Sequence, residues 1–261
     1  MSEIIKSKSS VSNDYIKSWI EKTKGYMQRA TEESNVVILG GRPGNIGGEI
    51  CRILTADGYN SITMWDRAQG DLNLVNPDLD ALYKNTDILI MCQGATHIDW
   101  IENQSMPDIQ VQIQDSLISH IRQTREFVRQ TIDRPYRKTI IYVGSMAYRN
   151  ILNGSSVYCA AKAGLNMFAR CVAWELAPKG YDVYVIHPGN VDGSPMAEST
   201  KNQLMRYRNL TALEAELYWN SGNPRDTILT AHDIANLVST ICDGTMVYAA
   251  GNPIDLTGGQ R

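Results

Sequence analysis

Three residues of this 261-residue chain have the types and spacing to move a proton: Ser145 just past an apolar run, Tyr158 thirteen residues on, and Lys162 four beyond the tyrosine. Four residues on a helix place two side chains on one face, so the Lys162 ammonium is expected beside the Tyr158 phenol. A nearby cation favours phenolate and lowers a pKa that is about 10 when unperturbed, which makes the phenol an acid and base usable near neutrality. A Tyr–Lys pair at this spacing also arises as a packed ring beside a snorkelling amine. Ser145 at a strand end and a glycine-rich turn upstream favour catalysis. Ser155 and Ser156, just before the helix, suit capping instead.

Short apolar strands and helical segments alternate from residue 36 onward. "NVVILGG", "SITMWD", "DILIMCQGA", "KTIIYVGS", "YDVYVIHPG" and "PIDLT" read as strands. Helices are expected over 47–57, 78–84, 108–132, 157–178 and 231–243. Val/Ile-rich strands without polar alternation are the kind buried on both faces, and strand–helix repetition gives a parallel sheet with right-handed crossovers. The expected fold class is α/β, a single-domain Rossmann-type doubly wound parallel sheet with helices on both faces, over residues 36–261. Residues 1–35 form an N-terminal extension: a polar tail, then a helix from Asn13 carrying Tyr15, Ile16, Trp19, Ile20, Tyr26 and Met27 at helical spacing. That apolar face covers either its own domain or another subunit.

"VVILGGRPGNIGGEI" sets Gly40, Gly41, Gly44 and Gly47 between the first strand and its helix. Such glycines permit a tight turn, admit backbone N–H groups close to a pyrophosphate and aim a helix N-terminus at its charge. Asp66 ends the second strand about twenty residues beyond the turn, where a carboxylate accepts from adenine-ribose hydroxyls and repels a 2′-phosphate. NAD is therefore expected over NADP, although Arg42 and Arg67 carry charge that suits a phosphate.

A net charge of −3, pI near 5.8 and no long basic block give no electrostatic reason for nucleic acid or anionic membrane as partner. Five cysteines without a C-x-x-C pair suggest a reducing cytoplasm. No apolar stretch is long enough to span a bilayer, the first residues lack a secretory core, and no metal site is expected.

"GS" at 144–145, Tyr-x-x-x-Lys at 158–162, the glycine turn, "CQGA" at 92–95, "HPGNV" at 187–191 and "IDLTGG" near the end together resemble the classical short-chain dehydrogenase/reductase family. The resemblance spans residues 36–261. It implies that Tyr158 exchanges a proton with the substrate oxygen, that Lys162 also hydrogen-bonds the nicotinamide ribose, and that Ser145 holds the substrate oxygen. Candidate cofactor contacts are Gly41, Arg42, Gly44, Asn45, Ile46, Gly47, Asp66, Arg67, Asp71, Leu72, Gly94, Tyr158, Lys162, Pro188, Gly189, Val191 and Ser194. The expected activity interconverts a secondary alcohol and a ketone on a small molecule, in a homodimer or homotetramer. The alternatives are a dinucleotide-binding sensor with little turnover and a nicotinamide-dependent epimerase or dehydratase.

The chain departs from the family's pattern in places. Cys92 and Gln93 replace the usual asparagines, and no asparagine stands where the long helix normally supplies one; Gln114, Asp115 and Ser116 occupy that region. His120 on the same helix is expected to be packed or at the surface. Residues 195–225 suit a substrate lid beyond a strand's C-terminal end, with Arg206, Arg208 and Tyr218 placed to meet a polar or acidic substrate.

Overall fold

The computed structural model describes residues 31–74, 76–221, 223–225 and 227–260; the helix expected from Asn13 lies outside them. The strands are β1 (Asn35–Leu39), β2 (Ser61–Trp65), β3 (Ile88–Met91), β4 (Lys138–Val143), β5 (Tyr181–Pro188), β6 (Val191–Asp192), β7 (Leu229–Thr230) and β8 (Pro253–Leu256). The helices are α1 (Ile46–Ala56), α2 (Pro77–Tyr83), α3 (Met106–Ile113), α4 (Ser119–Thr131), α5 (Ser156–Leu176), α6 (Pro195–Arg208), α7 (Ala212–Asn220) and α8 (Ala231–Cys242).

The six strands expected from the sequence form one sheet in the order β2-β1-β3-β4-β5-β8, with every pairing parallel. Successive residues of a strand face opposite sides. Val37, Leu39, Leu89, Met91, Ile140 and Tyr142 therefore bury one face under Tyr83 of α2, Phe127 of α4 and Leu165 of α5. Val36, Ile38, Ile88, Ile90, Ile141 and Tyr184 bury the other under Ile50 and Leu54 of α1 and Ile234 and Val238 of α8. Burial on both sides explains the unbroken apolar runs. The chain leaves β1 toward β2 and later returns on its other side as β3, so the crossovers diverge there and open a crevice above the carboxyl ends of the strands.

The helix expected over 108–132 is present but carries a π turn, Gln114–Ile118, between α3 and α4. The extra residue of such a turn rephases the helix, a device common at functional sites. Here it brings Asp115 and Ser119 to the crevice. The segment 195–225 forms the hairpin of α6 and α7. It leaves and rejoins the body at the β6–β7 pair, where Val191 sits opposite Leu229 and Asp192 opposite Thr230.

Among the described residues no helix is long and apolar enough to cross a membrane, and no cluster of His, Cys, Asp or Glu is arranged to hold a metal ion. The five cysteines are free thiols.

Candidate active site

The turn after β1 is built by glycines that the backbone demands. Gly40 has φ +73, and a Cβ there would meet Gln93 N at 2.8 Å; one on Gly47 would meet Gly41 Cα at 2.7 Å, and one on Gly48 would meet Arg42 O at 2.1 Å. Asn45 caps α1 and braces the loop: its Oδ1 accepts from Gly48 N at 2.9 Å and Arg42 N at 3.2 Å, and its Nδ2 donates to Gly40 O at 2.9 Å. The helix N-terminus is thus pressed against the turn, where an anion's charge is favoured.

Arg42, Asn45, Ile46 and Gly47 of this turn line one crevice of about 620 Å³, together with Asp66, Arg67, Asp71 and Leu72 after β2. The same crevice takes in Gly94 after β3, Ser145 after β4, Tyr158 and Lys162 on α5, and Pro188, Gly189, Val191 and Ser194 after β5. Two expected contacts, Gly41 and Gly44, do not line it. A Cβ on Gly41 would meet Ile38 and Met64 side chains at 3.1 Å, so that glycine serves packing, while Gly44 supplies a left-handed turn residue with φ +84.

At the adenosine end, Asp66 Oδ1 accepts from Ala68 N at 2.7 Å, closing an Asx turn that presents the carboxylate to the crevice. Arg67 is committed elsewhere, in an ion pair with Asp115, which also accepts from Asn73 Nδ2 at 2.9 Å. That leaves Arg67 less suited to a phosphate than its position beside Asp66 suggested.

Of the three residues considered in place of the asparagine, Ser116 reaches the backbone after β3. Its Oγ donates to Ala95 O at 3.0 Å and accepts from Ala95 N at 3.2 Å. A Cβ built on Gly94 would lie 3.5 Å from Ser116 Oγ and 3.6 Å from Lys162 Nζ, so these two groups flank the glycine. Asp115 serves Arg67 and Asn73, and Gln114 does not reach the crevice. His120, one turn beyond Ser116, is fully buried, and neither ring nitrogen has a protein hydrogen-bond partner.

Lys162 Nζ donates to Val143 O at 3.2 Å and lies 5.7 Å from the centroid of the Tyr158 ring. The expected balance at the phenol is reversed. Burial pushes Tyr158 up to about 12, the hydrogen-bonded Ser145 hydroxyl opposing it, and burial likewise pushes Lys162 down to about 8. Desolvation disfavours the charged form of each group and outweighs the mutual attraction expected from their spacing.

His187 went unsingled by the sequence reading. Its Nδ1 lies 3.2 Å from Ser145 N and 3.0 Å from Ser145 O, its Nε2 lies 3.0 Å from Asn166 Oδ1, and its ring stacks on Tyr148 with centroids 3.8 Å apart. A Cβ on Gly144 would meet His187 Nδ1 at 2.4 Å, which explains the glycine before Ser145. The "GS" and "HPG" motifs are both visible in sequence, but their contact depends on the β4–β5 register that sets Val143 opposite Ile186.

Further expectations are revised nearby. Ser155 occupies the N-cap of α5 but makes no capping bond with its side chain; it is buried and lines the crevice. Ser194 Oγ accepts from Ala197 N at 3.1 Å as the cap of α6. Arg206 and Arg208 do not line the crevice, and the Arg208 guanidinium lies over the Tyr218 ring at 4.4 Å; only Tyr218 of the three faces the site.

A parallel six-stranded sheet with a glycine turn at its switch point and a Ser–Tyr–Lys set above it defines a single-domain Rossmann fold of the short-chain type. The family model for short chain dehydrogenase matches residues 75–204, which contain Ser145, Tyr158 and Lys162. The chain is 25% identical over 70% of its length to sorbitol-6-phosphate 2-dehydrogenase of Escherichia coli, covering 70% of that protein. To the 3-oxoacyl-acyl-carrier-protein reductase FabG of Buchnera aphidicola it is 25% identical, with 91% of each chain covered. A solved structure of a variant actinorhodin polyketide ketoreductase with NADPH superposes with a TM-score of 0.77 at 20% identity, over 89% of this chain and 99% of that one. The chain belongs to the short-chain dehydrogenase/reductase family, a family of oxidoreductases.

Proposed function

We propose that the protein is a NAD(P)-dependent oxidoreductase that interconverts a ketone and a secondary alcohol on a small molecule, with NAD as the preferred cofactor. The observation that carries this reading is the convergence of Ser145, Tyr158 and Lys162 on the crevice that also holds the glycine turn and Asp66. The turn suits a dinucleotide, since Arg42, Asn45, Ile46 and Gly47 line the crevice at the N-terminus of α1, where a pyrophosphate's charge is favoured. Arg42, Asn45, Ile46 and Gly47 would hold the pyrophosphate; Asp66, Asp71 and Leu72 the adenosine; Gly94, Lys162, Pro188, Gly189, Val191 and Ser194 the nicotinamide half. Bound there, the nicotinamide supplies or accepts a hydride.

The chain's own residues handle the proton. Tyr158, protonated at neutral pH, donates from its phenol oxygen to the carbonyl oxygen in reduction and accepts the proton back in oxidation. Ser145 orients that oxygen, and Lys162, charged below about 8, steadies the phenolate left behind. Arrangement into a dimer or tetramer is supported by large apolar side chains exposed on α5, Trp174 and Met167, and by Ile118 exposed in the π turn of the long helix. Free thiols support a cytoplasmic location.

The test is oxidation of NADH or NADPH by purified protein against a panel of ketones, followed at the nicotinamide absorbance band. Tyr158→Phe is expected to abolish turnover and keep cofactor binding. Undiminished turnover in that variant would remove the mechanism, and binding of NADH with no turnover on any ketone would return the reading to a sensor.

A further inference from the structure

The charges along the crevice are distributed unevenly. Among the described lining residues, Arg42, Asp66, Arg67 and Asp71 stand at the glycine turn and after β2, Asp115 pairs with Arg67, and Lys162 lies at the centre against Val143 O. Beyond Tyr158, toward the α6–α7 hairpin, the lining is Ile98, Met146, Leu152, Met196, Leu204 and Trp219, with small hydroxyl and amide side chains between them. Among the described residues no lysine, arginine or histidine lines that half.

Two of the hairpin's cations are engaged with neighbours, and Arg206 is exposed and does not line the crevice. Lys201 is held by Glu198 at 2.8 Å, Glu216 at 2.9 Å and Asp192 at 3.3 Å. Arg208 lies over Tyr218 at 4.4 Å, outside the lining. A phosphate or carboxylate brought into this half would lose its hydration and meet no opposite charge, whereas an apolar body would gain by the same transfer.

We infer that the substrate is an uncharged ketone with an aromatic or branched apolar body, seated between Met146 and Leu152 on the sheet side and Met196, Leu204 and Trp219 on the hairpin side. This rests on the proposed oxidoreductase reading and narrows it. Specificity against anionic substrates comes from the lack, among the described lining residues of this half, of a partner for their charge.

The experiment compares two ketones of matched shape, an aryl alkyl ketone and its para-carboxylate analogue, as substrates of the full chain with its preferred cofactor. The neutral ketone is expected to have a kcat/KM at least about tenfold higher. Met196→Arg, placing a cation at the start of α6, is expected to shrink or invert that ratio. Equal or better use of the carboxylate by the wild type would overturn the inference while leaving the oxidoreductase reading intact. If neither ketone is turned over although NADH binds, the same pair is compared by quenching of Trp219 fluorescence against a Trp219→Phe background, and the oxidoreductase reading fails only where the whole ketone panel is refused as well. Tighter binding of the neutral ketone sustains an apolar ligand class, and equal or tighter binding of the carboxylate overturns it.

Discussion

His187 grips the backbone of Ser145 from the neighbouring strand, with Nδ1 3.2 Å from the serine amide, and its far nitrogen reaches Asn166 on α5 at 3.0 Å. The imidazole therefore ties the end of β4 to the helix that carries Tyr158 and Lys162. Loss of that tie should let the serine drift relative to the tyrosine, and displacements on the ångström scale cost rate steeply. His187→Ala is expected to lower kcat about 10–100-fold with cofactor affinity changed less than about threefold. Steady-state kinetics beside a fluorescence titration with NADH would check it; a rise in KM with kcat intact would contradict a positioning role.

The same imidazole gives an acid-side prediction. Burial holds His187 down at about 4, below its ordinary 6.5, so the unfolded chain binds this proton first as pH falls. Stability is therefore full above the unfolded value and declines between about 6.5 and 4, by an amount on the order of 3 kcal/mol. Denaturant titrations across that window should show the slope, and His187→Asn should flatten it.

On the alkaline side the groups to watch are Tyr158 and Lys162. With the phenol held up at about 12 and the amine down at about 8, reduction should be insensitive to pH through neutrality and fall above about 8 as Lys162 discharges. A kcat/KM profile for reduction that climbs through that region would contradict the assignment.

Cofactor choice turns on Asp66 and on what Arg67 is doing. Asp66→Ala should weaken NAD(H) about tenfold more than NADP(H), because the carboxylate that accepts from the ribose is also the one that repels a phosphate. Asp115→Asn releases Arg67 from its ion pair and is expected to raise NADP(H) affinity about 3–10-fold. Binding isotherms for both cofactors with both variants decide the matter, and a loss confined to NADP(H) in Asp66→Ala would reverse the preference.

Two glycines of the first turn should behave differently. Gly48→Ala drives a methyl to 2.1 Å from Arg42 O, backbone that cannot yield cheaply, so a loss of about 1–3 kcal/mol and at least tenfold in dinucleotide affinity is expected. Gly44→Ala meets nothing within 4 Å and carries only the strain of φ +84, about 1 kcal/mol. Thermal melts and cofactor titrations distinguish the two.

The sheet was legible because its central strands are buried on both faces and so leave apolar runs between turns, as in "NVVIL" and "ILIM", while the edge strands β2 and β8 are only partly buried. Tyr158 and Lys162 were legible because a single helix fixes their separation. The π turn was not, since one added residue changes phase without altering composition, and so the sequence could not say which of Gln114, Asp115 and Ser116 faces the crevice and which the backbone after β3. His187 escaped because its partner lies on another strand, 42 residues away. The electrostatics of Tyr158 were misjudged for a related reason: four-residue spacing speaks to proximity, whereas the depth of burial that dominates the phenol is a property of the assembled crevice.

The β6–β7 pair, two residues long on each side, has a wider meaning. It fastens the departure and the return of the α6–α7 excursion at one point, and Gln203 Oε1 accepting from Ile98 N and Tyr207 packing on Trp100 seat the excursion on loops above the sheet. A chain built this way can exchange that excursion as a cassette, acquiring a new clientele of molecules while the reactive hydroxyls below keep their places. Diversification of chemistry and preservation of architecture are thereby assigned to different stretches of the same polypeptide.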